Sequence, residues 1–345
     1  MKTGLYSISR GLRLICLVTF AAIVWISPSA SAQQIVIQLR TQSVRPNDSM
    51  MHAMSFNLSK LLLAANTANK NNKTINGLEL PLNAYAQKQL ATLWIRSPFH
   101  CDSTYIHSYV WPVRNGYMVR AIPITVSNRD SRNPRNVSLW LAVEFNHDAL
   151  ITDIKFASPD ISEIILSNYT SPSNLLQLTQ IMQYVDRYLT AYYIEDINFF
   201  KQLFNDDALA IVGKEMRRHK GIFNRKTPES LEYRDSYRKE HLSYLQRTFS
   251  RSSWVHATIS PIIDSDCDTL NPITQSLSNS NFYGVRLHIE WKSSCGFHDE
   301  GYSLLLWDFS DSQMPIIHVR AWQPANIFNR PLKPTELFSL SDFGF

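Results

Sequence analysis

The sequence predicts an α+β protein built from two units, and three observations predict it. Apolar residues recur at helical spacing in some segments and alternate at strand spacing in others, and the two kinds are segregated rather than interleaved. Turn dipeptides, with Asn115-Gly116 the strongest, separate strand-like runs at hairpin spacing. The chain has 345 residues, 44% hydrophobic and 12% aromatic, which is enough for more than one core.

The first 32 residues read as a leader. Lys2, Arg10 and Arg13 precede an apolar run over 14–26, Ser27-Pro28 breaks it, and Ala30-Ser31-Ala32 is a small-residue cleavage site. The run is shorter than the roughly 20 apolar residues that span a bilayer. Cys16 lies inside the run after Ile15, which does not fit lipid attachment. The expectation is export, to a periplasm, a cell surface or the medium, with no membrane span after cleavage. Without the leader's three basic residues the net charge falls from +5 to about +2, which argues against nucleic acid as a partner. Cys101, Cys267 and Cys295 remain; the last two either pair or stay as thiols, and no metal spacing links the three.

The first unit covers 33–160. Met54, Leu58, Leu61, Leu62 and Ala65 predict a helix over 50–69, and a short helix is expected within 80–93. Strand-like runs follow at 105–113, 117–126, 137–145 and 150–156, which predicts a helix followed by an antiparallel meander. Residues 161–174 read as a linker. The second unit covers 175–330. Leu175, Leu178, Met182, Val185 and Leu189 mark a long helix, followed by a shorter helix over 194–204 and a strand over 208–212. The charged stretch 217–240 reads as a mixed-charge loop, and 239–250 as a third helix. Strands are expected over 255–263, 282–292, 302–308 and 316–323, with 331–345 as a tail.

The stretch Tyr192-Tyr193-Ile194-Glu195-Asp196-Ile197-Asn198-Phe199-Phe200, continuing to Ala208, resembles the opening of the nuclear transport factor 2-like, or SnoaL-like, fold. Tyr283-Gly284-Val285, Asp299-Glu300-Gly301-Tyr302, Leu306-Trp307-Asp308-Phe309, 317–324 and 338–343 resemble an uncharacterised family of exported Bacteroidetes proteins. The resemblance covers 175–345. It implies a cone of helices against a curved antiparallel sheet and an envelope location; it implies no activity.

In the last strand His318, Arg320 and Trp322 alternate and are expected on one face, lining the cone. They would hold an anionic or aromatic ligand, with Asp308 and Tyr188 as further candidates. The alternative is that Arg320 pairs with Asp308 or Glu300 and Trp322 is core. Asp186, Tyr188, Asp308 and His318 are candidate acid–base residues if the cone is catalytic. His298-Asp299-Glu300 is expected in a turn, where adjacent residues do not converge on one ion, so neither a metal nor any other cofactor is expected. No nucleophile elbow, phosphate loop, zinc helix or dinucleotide fingerprint occurs. The expected function is therefore a non-catalytic envelope binding protein, its partner a small ligand or an envelope protein. The alternatives are a SnoaL-like lyase, isomerase or hydrolase, and a structural envelope protein acting through protein contacts.

Overall fold

A computed structural model describes residues 34–41, 46–127, 136–158, 172–216, 230–263, 270–311, 314–327 and 329–344. The leader, most of the expected linker, the basic stretch 217–226 and Cys267 lie outside the described residues.

The first sheet is built from β1 (Val36–Thr41), β2 (Phe99–His100), β3 (Tyr105–Val113), β4 (Gly116–Ser127), β5 (Asn136–Phe145) and β6 (Ile151–Ala157). Its order is β1-β3-β4-β5-β6, with β2 on the edge of β4. Two helices cover it. In α1 (Asp48–Lys70) the Asn47 side chain caps the first turn by accepting from Met50 N at 2.7 Å. Its Met54, Leu58, Leu61, Leu62 and Ala65 face the sheet and are buried. In α2 (Ala84–Arg96) Asn83 caps in the same way.

The second sheet holds β7 (Phe204–Met216), β8 (Ser230–Tyr237), β9 (Val255–Ser260), β10 (Ile273–Gln275), β11 (Phe282–Ser293), β12 (His298–Asp308) and β13 (Ile316–Pro324), in the order β10-β11-β12-β13-β7-β8 with β9 also on β11. Its helices are α3 (Pro172–Tyr193), α4 (Ile197–Leu203) and α5 (Arg238–Arg251). The chain is thus α+β, with mostly antiparallel sheets. Two strand pairs depart from the expected antiparallel order: β1 with β3 and β13 with β7 are parallel. Four strands of these sheets lie outside the expected ones: β1, the two-residue β2, the three-residue β10, and β8, which lies in the charged stretch, where polar residues outnumber apolar ones.

α3 joins the halves. It packs on β6 of the first sheet and on β9 of the second. Leu178, Ile181, Met182, Val185, Leu189 and Tyr192 are buried, and so are Thr179, Asp186 and Thr190. Each large apolar side chain buried in this way contributes about 1.5–3 kcal/mol. Polar links fix the docking: Phe156 N donates to Thr190 Oγ1 at 2.9 Å, Ser158 Oγ to Ile259 O at 2.7 Å, and Tyr193 Oη to Ala257 O at 3.1 Å. One core cluster runs from Ile35 to Trp322. The tail lies on the other face of the second sheet, where Leu340 packs with Leu304, Leu306 and Val319.

Two irregularities aim particular side chains. The β4–β5 register shifts between Val119 and Ile122, and Ala121 takes φ 59°, so Arg120 turns inward. The β13–β7 register shifts between Ile317 and Val319, which changes the alternation of β13. Cys101 is a buried thiol and Cys295 an exposed one.

Candidate functional site

The register shift in β13 separates the residues expected on one face. Ile317, Arg320 and Trp322 face the helices, whereas His318 and Val319 face away from them. His318 belongs with Asp308 on the outer face: its Nε2 lies 3.3 Å from Asp308 Oδ2, its Nδ1 lies 3.2 Å from Asn205 Nδ2, and its ring tilts against Phe282. Burial pushes the Asp308 carboxyl up, but hydrogen bonds from Ser310 and His318 outweigh it and hold the group below the usual carboxylate range. The expectation of a shared face for His318, Arg320 and Trp322 is thereby corrected.

Arg320 pairs with neither Asp308 nor Glu300, which both lie on the outer face with histidine partners. Its guanidinium lies over the Trp322 and Trp291 rings at 5.6 and 5.9 Å, and its Nε approaches the Tyr188 hydroxyl at 3.4 Å. Tyr192 Oη donates to Tyr188 Oη at 2.8 Å. Tyr188, Tyr192, Phe200 and Trp291 then pack ring against ring, with centroids 4.2–5.5 Å apart. This is a packed aromatic interior with a cation in it. Asp186 is elsewhere, ion-paired to Arg120 at 2.5 Å. The acid–base set Asp186, Tyr188, Asp308 and His318 is therefore divided among three environments.

A cleft between the halves collects more polar groups. It has a volume of about 670 Å³ and lies between α3 and the β5–β6 edge of the first sheet. Glu144 and Asp153 face each other across the β5–β6 pair, and Lys155 stands two residues along β6 on the same face. Lys155 Nζ donates to Glu144 and, at 3.0 Å, to Asp153. Burial works against the Lys155 charge, but the two carboxylates outweigh it and hold the ammonium above its ordinary range. Gln183 Nε2 donates to the same Glu144 oxygen at 2.8 Å.

The helix side of the cleft is a stripe of Gln177, Gln180, Gln183 and Arg187, spaced three or four residues apart, with Tyr184 beside Gln183. Arg187 is half-buried and stacks over Tyr85 and Phe199, at 5.7 and 5.1 Å. Burial raises both Tyr85 and Tyr184, so each hydroxyl stays protonated and able to donate. Asn83, Asn115, Asn146 and Arg114 complete the wall. Five charges of both signs, several amides and two phenols make a surface that offers donors and acceptors in alternation.

None of the cleft residues is a site candidate in the sequence, where Asn115 marks only a turn. The apolar stripe of α3 drew attention, while the polar stripe on its opposite side had the same period. Asp153 and Lys155 were visible as two charges inside an otherwise apolar run, and burial of both strand faces is what makes such charges meaningful.

No family model matches the chain, and no curated protein matches it. Among solved structures, a conserved protein from Planctomyces limnophilus is 14% identical with a TM-score of 0.30, over 43% of this chain and 97% of its own. A naphthalene 1,2-dioxygenase chain with indole in its active site is 12% identical with a TM-score of 0.31, over 51% of this chain and 93% of its own. Bd1075 of Bdellovibrio bacteriovorus is 10% identical with a TM-score of 0.32, over 59% of this chain and 89% of its own. Likenesses at this level carry no conclusion about this chain.

Proposed function

We propose that this chain is an exported, non-catalytic binding protein that takes a small, hydrogen-bond-rich ligand into the cleft between its halves. The observation that carries the proposal is the cleft itself, about 670 Å³ and lined by Lys155, Glu144, Asp153, Arg187 and the α3 amides. That volume lies in the range of small-molecule sites, about 300–1,000 Å³. Paired charges of both signs leave little net field, so the fit is to a neutral ligand dense in hydroxyls, of which an oligosaccharide is the type. The second half is read as a nuclear transport factor 2-like cone that acts as scaffold. Its aromatic packing around Arg320 favours a structural role for that residue over a ligand in the cone. The division of the acid–base candidates favours binding over catalysis.

The test is a thermal-melting screen of the mature protein against oligosaccharides, short peptides, bile acids and fatty acids, with Arg187→Ala and Gln183→Ala beside the wild type. A ligand that binds only the folded state raises the melting temperature by mass action. The expected result is a shift with one or more oligosaccharides that both variants lose while remaining folded. A shift retained undiminished in both variants, or none with any oligosaccharide, overturns the proposal.

A further inference from the structure

β12 starts at His298, four residues earlier than the sequence pattern marks, and this changes what His298-Asp299-Glu300 is. The segment is strand, so His298 and Glu300 project from one face and Asp299 from the other. The residues therefore need not converge from a turn, and the partner ligands come from the neighbouring strand. In the β11–β12 register Glu290 stands directly opposite Glu300, Lys292 opposite His298, and His288 opposite Tyr302. His288, Glu290, His298 and Glu300 thus occupy one patch of the outer face of two adjoining strands. Beside Glu300, a Cβ at Gly301 would lie 2.2 Å from Gln323 O on β13, so the close approach of those two strands requires glycine there.

The ligand atoms converge. His298 Nε2 lies 2.9 Å from Glu290 Oε1, and His288 Nε2 lies 3.1 Å from Glu300 Oε1. One ligand atom from each of Glu290, His298 and Glu300 falls within 4.8 Å of the others. Tetrahedral zinc with bonds of about 2.0–2.2 Å places neighbouring ligand atoms about 3.3 Å apart, which these spacings approach. His288 is also oriented from behind. Its Nδ1 lies 2.7 Å from Ser260 Oγ on β9, which leaves Nε2 turned to the carboxylates.

We propose that Glu290, His298 and Glu300 bind a divalent transition-metal ion, with zinc the best fit, and that His288 holds the Glu300 carboxylate in place. Imidazole and carboxylate without thiolate suit zinc and its neighbours, whereas magnesium and calcium take oxygen ligands. The Lys292 ammonium, 2.6 Å from Glu290 Oε1, occupies the position of a competing cation and has to move away on binding. It sits on a long, partly exposed side chain that can do so. The site adjoins a second cavity of about 390 Å³, whose wall includes Glu290, Lys292, Trp254 and His256. This inference is independent of the cleft proposal, since neither the three ligand residues nor His288 lines that cleft.

The experiment is calorimetric titration of tag-free, chelator-treated mature protein with zinc chloride, then with cobalt, magnesium and calcium chlorides. One equivalent of zinc is expected, with cobalt giving the visible absorption of a four-coordinate ion and magnesium and calcium giving no heat. His298→Ala and Glu290→Gln are each expected to lower zinc affinity tenfold or more, and Lys292→Ala to raise it. The last variant guards the test, because a residue with only a structural role would not strengthen metal binding when removed. Absence of a zinc isotherm, or an isotherm unchanged in His298→Ala and Glu290→Gln, overturns the proposal.

Discussion

Arg120 on β4 donates to Asp186 on α3 at 2.5 Å, and both side chains are almost fully buried. The pair ties the first sheet to the helix that the second sheet also packs on. Burial raises the Asp186 carboxyl to about 6, with the Arg120 charge pulling it the other way. The bulge at Ala121 is what turns Arg120 toward it.

Removing one partner of such a pair costs far more than removing both. Asp186→Ala takes the carboxylate from a buried guanidinium and is expected to lower stability by about 3–5 kcal/mol. The double variant Arg120→Met with Asp186→Leu is expected to recover most of that. Urea unfolding of the three proteins checks it, and a double variant as unstable as the single would contradict the account.

His241 on α5 is buried, and its Nε2 has no partner among the described residues. Burial first, and the Arg320 charge second, hold its pKa well below 6.5. Below pH 6.5 the unfolded chain takes a proton there that the folded chain refuses. Its contribution to stability is thus present above pH 6.5 and lost as pH falls. Asp186 acts in the opposite sense between about pH 6 and 4, because its folded form keeps a proton that the unfolded form has lost. Denaturant midpoints between pH 7.5 and 5.5 are expected to fall for the wild type, and to fall less for His241→Phe. Equal slopes for the two proteins would contradict this.

The two free thiols differ in access. Hydrogen bonds from Ser252 and Ser293 lower the pKa of exposed Cys295, whereas burial raises that of Cys101. Iodoacetamide is expected to modify Cys295 in the native protein, and Cys101 only after unfolding. Peptide mapping by mass spectrometry reads both, and native labelling of Cys101 would contradict the burial described.

The long amphipathic segments were legible in the sequence. The apolar periods of α1 and α3 and the turn at Asn115-Gly116 gave helices and a hairpin close to their observed bounds. Features set by long-range pairing were not. The parallel β13–β7 pair, the register shift at His318 and the strand character of His298–Glu300 depend on which strand lies alongside, and local pattern does not encode that. The candidate site suffered most. Strict alternation put His318 beside Arg320, and a single bulge moved it to the opposite face. The cleft is not legible in the sequence because its residues come from four segments that only folding brings together.

The cleft is best tested by hydrogen exchange of the protein, measured by mass spectrometry with and without a concentrated oligosaccharide pool. The account predicts slowed exchange in peptides covering 144–155 and 176–187, with 282–293 and 316–324 unchanged. Slowing confined to the strands around Arg320, or no slowing anywhere, would contradict it.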